Sequence, residues 1–160
     1  MSVSAPGKAP IKAAEAPPKA KQTNYPEPFA ARMAGRLKRP LGDVFGLTNF
    51  GVNHTRLAPG GVTALRHYHS RQDEFIYVIA GAPTLVTEGE ERVLEPGMCV
   101  GFKAGEPLSH YFINRTEQEV VLLEVGDRSA GDAVTYPYDD IEAVLVDGRW
   151  AFTHKNGQPY

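Results

Sequence analysis

The sequence predicts an all-β sandwich or barrel. From Gly42 onward, short runs rich in β-branched and aromatic residues recur roughly every ten positions. Turn signals containing Gly or Pro separate them, among them Pro59-Gly60-Gly61, Glu88-Gly89 and Pro96-Gly97. No strand–helix–strand alternation appears, and neither a dinucleotide-type nor a P-loop glycine motif is present.

Length and composition agree with one domain. The 160 residues suffice for a single substantial core, and 42% hydrophobic with 22% charged residues is a globular balance. Residues 1–28, rich in Ala, Pro and Lys, bury too little apolar surface to offset their ordering entropy, which predicts a disordered leader or an extended lead-in. Residues 29–160 are then one barrel domain, with its core at 42–125 and a closing segment at 126–160. The single cysteine, Cys99, excludes an internal disulfide framework, reads as a buried small hydrophobe and fits a cytoplasmic protein. No apolar run is long enough to cross a bilayer, and the N-terminus lacks a signal peptide's apolar core, so no membrane association is expected. Net charge is −2, but residues 1–40 hold eight Lys/Arg against two Asp/Glu, and residues 41–160 hold nine against seventeen. An acidic body lacks the basic face that nucleic acid requires.

In chain order, Phe29–Arg36 reads as a short helix. The expected strands are Val44–Leu47, Val52–Leu57, Thr63–His69, Glu74–Ala80, Pro83–Thr87, Glu91–Leu94, Cys99–Phe102, His110–Asn114 and Val120–Val125. A last apolar stretch, Ile141–Val146, is expected to pack on the barrel, and Tyr138 to Asp140 either cover a barrel mouth or form a surface loop.

One constellation carries chemistry. His67 and His69 are two apart in a strand segment, so both imidazoles project to one face while Arg66 and Tyr68 turn away. Glu74 opens the next strand after a polar turn, and an antiparallel return brings its carboxylate beside them. His110, from a distant strand, completes a mixed nitrogen and oxygen site suited to one divalent transition metal, with Fe, Mn, Ni and Zn all open. Ile76, Val78 and Phe112 share the parity of Glu74 and His110 and are expected as an apolar pocket wall. His54 either lines the pocket or satisfies a core hydrogen bond.

The spacing Gly61, five residues, His67, one residue, His69, four residues, Glu74, six residues, Gly81 resembles the first motif of the cupin superfamily. Gly89, Pro96-Gly97, Lys103-Ala104-Gly105, His110 and Asn114 resemble its second. There Lys103 replaces the usual proline, and Glu106 to Ser109 enlarge a turn by two residues. The resemblance implies a double-stranded β-helix (jelly-roll barrel), a metal on His67, His69, Glu74 and His110 with open positions for water or substrate, and a homodimer, for which segment 32–50 is expected to supply an exchanged or covering strand.

By that analogy the function is a metal-dependent enzyme on a small oxygen-rich metabolite, either a sugar-phosphate isomerase or a dioxygenase or lyase. The alternative is a non-catalytic small-molecule-binding or sensing module. Isomerisation would also want cations for a phosphate, for which Arg56, Lys103 and Arg115 are candidates. No catalytic acid or base stands out.

Overall fold

Alternation along residues 74–80 sets the architecture: Ile76 and Val78 are buried, whereas Phe75, Tyr77 and Ile79 face outward. The structure, a computed structural model, describes residues 9–160. Its strands are β1 (Arg36–Pro40), β2 (Phe50–Leu57), β3 (Tyr68–His69), β4 (Glu74–Ala80), β5 (Thr84–Thr87), β6 (Glu90–Val93), β7 (Cys99–Phe102), β8 (Tyr111–Ile113), β9 (Val120–Asp127), β10 (Ala133–Thr135), β11 (Glu142–Val146) and β12 (Arg149–Thr153), with one short helix, α1 (Leu41–Phe45). They form three antiparallel sheets, in the orders β1-β2-β9-β4-β7, β6-β5-β8 and β12-β11-β10-β3. This is the double-stranded β-helix the resemblance implies. No helix among the described residues is long and apolar enough to cross a membrane.

Two clusters hold the barrel. Leu57, Val78, Leu85, Phe112, Val120 and Leu122 fill the space between the five- and three-stranded sheets. Burying a side chain such as Phe112 contributes about 1.5–3 kcal/mol. Phe29, Met33, Leu65, Val134, Tyr136 and Ile141 form a second cluster beside the four-stranded sheet. The turn after β4 requires glycine: Gly81 has φ +80°, and a Cβ there would stand 2.6 Å from the Glu119 carbonyl oxygen.

Several expectations need correction. Residues 44–47 are not a strand: Val44 and Phe45 end α1, which Gly46 terminates at φ 73° while its N–H donates to the Asp43 carbonyl. The helix expected at 29–36 shrinks to one 3₁₀ turn, Ala30–Met33, because Gly35 reverses the chain and Arg36 pairs with Leu57. The strand expected at 63–69 narrows to β3, flanked by bridges from Val62 to Ile113 and His67 to His110. Cys99 is exposed, because it pairs with Tyr77 and shares its outward face.

The expected leader also changes. Its first eight residues lie outside the described ones. Residues 9–28 follow the second alternative, a lead-in with one 3₁₀ turn at Ala13–Glu15 that lies along the open sheet edge β1 offers. The Lys19 N–H donates to the Lys38 carbonyl (2.9 Å), and the Gln22 side chain accepts from the Lys38 N–H (2.8 Å) while donating to the Lys19 carbonyl (2.6 Å). Tyr25 then packs edge-on against Tyr136 and Phe152.

Candidate metal centre and its cavity

His67 and His69 project to one side as alternation requires, and His110 meets them because its backbone pairs with that of His67. Glu74, at the start of β4, completes the group. From its carboxylate, His67 Nε2 lies at 3.5 Å, His69 Nε2 at 3.5 Å and His110 Nε2 at 2.9 Å. His67, His69 and Glu74 form a cluster whose ligand atoms lie within 4.8 Å of one another, and it could hold a metal ion.

The other face of each ring fixes its tautomer. His67 Nδ1 donates to the Leu65 carbonyl (2.7 Å), His110 Nδ1 to the Leu108 carbonyl (3.3 Å), and His69 Nδ1 to Asp132 Oδ2 (2.5 Å). Carbonyls and carboxylates accept only, so every Nδ1 carries a proton and every Nε2 turns toward Glu74. The Phe102 ring stacks on His110 at 3.4 Å, holding its plane. Glu74 Oε2 is shut off from solvent and receives no well-directed hydrogen bond. Lone pairs converging on a buried carboxylate repel it unless a cation lies between them, and either protons or a metal ion meets that need. The donor set therefore fits a divalent transition metal.

The titration of the group follows from this crowding. Burial works to raise the Glu74 carboxyl, but the imidazoles of His67, His110 and His69 hold it well below the usual range. Burial disfavours the His69 imidazolium, yet hydrogen bonds to Asp132 and Glu74 outweigh it and push the pKa up to about 9. His110 is lowered, chiefly by burial.

Asp132 escaped the sequence reading. It is fully buried, and besides His69 it accepts hydrogen bonds from Ser70 Oγ, the Arg71 N–H and the Gln72 N–H. The signal available was slight: one acidic residue among Gly and Ala beyond the barrel core, with no spacing to tie it to His69.

The cluster opens into a cavity of about 230 Å³. Ile76 and Phe112 line it, joined by Tyr136, Trp150 and Phe152 from the C-terminal strands and their approach, and by residues of the lead-in. Val78 does not line it; one pleat beyond Ile76, it is fully buried in the barrel core. His54 does not line it either. Thr55 and Leu57 take the inward positions of β2, so His54 faces the opposite side, buried, its pKa lowered by burial and by Arg39 and Arg56. The three cations singled out for a phosphate also stand elsewhere: Arg56 pairs with Glu119, Arg115 with Glu91, and Lys103 edges a separate small hollow. Tyr138 is exposed and donates to Glu88, with Arg66 over its ring.

Comparisons with known proteins agree with this architecture. The family model of the cupin domain matches residues 53–126. A crystal structure of a sugar phosphate isomerase from a cupin superfamily, from Silicibacter pomeroyi, is 38% identical over 95% of this chain and 96% of that one, with a TM-score of 0.88. A protein of Acidithiobacillus ferrooxidans, provisionally assigned as a sugar phosphate isomerase, is 28% identical over 78% of this chain and 80% of that one, with a TM-score of 0.71. The polyketide cyclase RemF of Streptomyces resistomycificus, 21% identical over 75% of this chain and 79% of that one at a TM-score of 0.61, shares the fold alone. No curated protein sequence matches.

Proposed function

Since the chain belongs to the cupin superfamily, we propose that it is a metal-dependent isomerase of a small phosphorylated sugar, its metal held by His67, His69, Glu74 and His110. The observation that carries this reading is the convergence of three Nε2 atoms on the Glu74 carboxylate, each with its Nδ1 tied to a fixed acceptor. The likeness to a sugar phosphate isomerase along nearly the whole chain favours isomerisation over oxygen chemistry.

The metal would supply a Lewis acid for a substrate carbonyl or hydroxyl oxygen. The chain supplies the rest. Glu124 is the cavity's other carboxylate, and Thr55 Oγ1 and Lys38 Nζ both meet its Oε2. It is the group placed to move a proton between neighbouring substrate carbons. The Tyr136 phenol is buried and its pKa pushed well above the usual value, so it stays a neutral donor beside His67. Trp150 and Phe152 keep bulk water from the reacting carbons.

The test joins elemental analysis of the purified protein to an assay of aldose–ketose phosphate interconversion by proton exchange in D₂O. Near one equivalent of transition metal together with turnover supports the reading. Metal without exchange on any sugar phosphate leaves a ligand-binding module, and no metal after reconstitution removes the centre altogether.

For assembly we read a homodimer. The outer face of β4 leaves Phe75, Tyr77 and Ile79 about two-fifths exposed side by side, an apolar patch that a second copy would cover. Sedimentation as a monomer at micromolar concentration would discard it. Segment 32–50 needs no exchange to find a partner, since β1 pairs with β2 of its own chain.

A further inference from the structure

The cavity holds a second set of charges that the histidine–glutamate cluster does not use. Arg36 and Lys38 stand two apart on β1, so alternation turns both to the same face, and the lead-in brings Lys19 alongside by pairing with Lys38. All three line the cavity. Arg36 is only 9% exposed, and among the described residues it makes no ion pair, although the Glu124 charge reaches it. Its Nη1 donates to the Thr63 carbonyl and its Nη2 to the Gln22 carbonyl (2.6 Å), while its Nε is cut off from solvent without a partner. Lys38 Nζ lies 3.1 Å from Glu124 Oε2, and Lys19 makes no ion pair among the described residues. Burial, then the charges of Lys38 and Arg36, push the Lys19 ammonium below its usual range, as crowding of like charges requires.

On this side of the cavity of about 230 Å³, three cations against the Glu124 carboxylate leave two positive charges, while Glu74 on the other side is met by its imidazoles. Burying uncompensated charge is costly unless a ligand supplies the counter-charge. A carboxylate would neutralise half of it, whereas a phosphate monoester carries about −1.5 to −2 at neutral pH. A space below the roughly 300–1,000 Å³ of drug-sized sites admits only a compact molecule.

We propose that Lys19, Arg36 and Lys38 form a phosphate subsite, so that the lead-in and β1 hold the phosphate of a compact sugar phosphate while its other oxygens face the histidine–glutamate cluster. The identity of the second half of that ligand rests on the function proposed above; the phosphate subsite itself does not require the metal. Gln22 is the positioning residue, because its side chain and carbonyl tie Lys19, Lys38 and Arg36 to one another.

The experiment is calorimetric titration of the full-length, metal-stripped protein with inorganic phosphate, glucose 6-phosphate, glucose and acetate. Stripping removes any phosphate binding through a metal. Phosphate and glucose 6-phosphate should bind and weaken with added salt, and glucose and acetate should bind at least tenfold more weakly. Lys19→Glu should weaken glucose 6-phosphate at least tenfold. Lys19→Met, which removes the charge without adding repulsion, should weaken it several-fold and serves if the first variant fails to fold. Glucose 6-phosphate binding no tighter than glucose, acetate matching phosphate, or folded Lys19 variants with unchanged affinity would overturn the subsite. Metal content measured on the unstripped samples separates the two ideas. Phosphate binding without any metal uptake sinks the function and keeps the subsite; full metal uptake with unaltered variants sinks the subsite alone.

Discussion

The cavity has two chemically opposite sides, and they are held in place by different means. On one, three imidazoles are each clamped at Nδ1 by a carbonyl or a buried carboxylate, and Phe102 stacks on one of them. Their reach is fixed before any ligand arrives. On the other, Arg36 and Lys38 rise from an edge strand, and Lys19 is carried by a lead-in attached through a few hydrogen bonds around Gln22. The first side presents lone pairs and one carboxylate and selects a cation; the second presents surplus positive charge and selects an anion. Rigid geometry suits a metal, whose ligand distances tolerate little error, whereas a phosphate accepts donors from many directions. The two sides should therefore fail independently.

The hardest test of that independence is the double variant His67→Ala, His69→Ala. Its metal content should fall from near one equivalent to none, while affinity for inorganic phosphate stays within about twofold of wild type. Coupled loss of both would break the comparison. Next, Glu124→Gln removes the carboxylate that stands between the sides, and turnover should drop by about 10²–10⁴ with metal content unchanged. Asp132→Asn probes the clamp. One oxygen cannot serve both His69 and the N–H donors of Arg71 and Gln72, so the amide nitrogen turns to His69 and reverses its tautomer. Metal affinity should fall about 10–100-fold, read by competition with a chelator, with phosphate affinity unaltered.

A pH experiment sharpens the same contrast. Without metal, the folded His69 pKa is about 9, above the usual 6.5 of an imidazole, so its contribution to stability is fully present below about 6.5 and fades as pH rises through 9. A metal ligand must give up that proton. Metal binding at pH 7.5 should release about one proton from His69, seen as buffer-dependent enthalpy, and affinity should climb with pH until about 9. The smallest effect belongs to Cys99→Ser on the outer face, where stability should change by no more than about 0.5 kcal/mol and metal content not at all.

Strand parity explains what the sequence could reveal. His67, His69 and Glu74 lie within one turn of antiparallel chain, so alternation alone predicts that they share a face, and β4 and β7 begin and end where the pattern says. Parity also turns Ile76 and Phe112 inward, but it does not measure depth along a strand, and Val78, of the same parity, lies in the barrel core short of the cavity wall. His54 needed the phase of β2, which Thr55 and Leu57 decide. What stayed hidden depends on distant partners. Asp132 orients His69 across more than sixty positions. The lead-in has a composition that cannot fold alone, and it orders only because β1 leaves an edge and Tyr136 and Phe152 leave a place for Tyr25. The short helix α1 is hidden because Val44 and Phe45 read as strand formers, and only the Gly46 stop marks its end.

The seat of Tyr25 between Tyr136 and Phe152 has a consequence for biosynthesis. A segment made early in this stretch of chain is walled in by one made well after it. Residues 67–110 can bring the imidazoles together while the chain is still being made, but the lead-in has no complete seat until β12 has been released. A chain whose histidines gathered at that point would have its cavity open on the lysine side. In that interval Tyr25, Phe29 and Met33 lack their cover and are the surfaces a chaperone would meet.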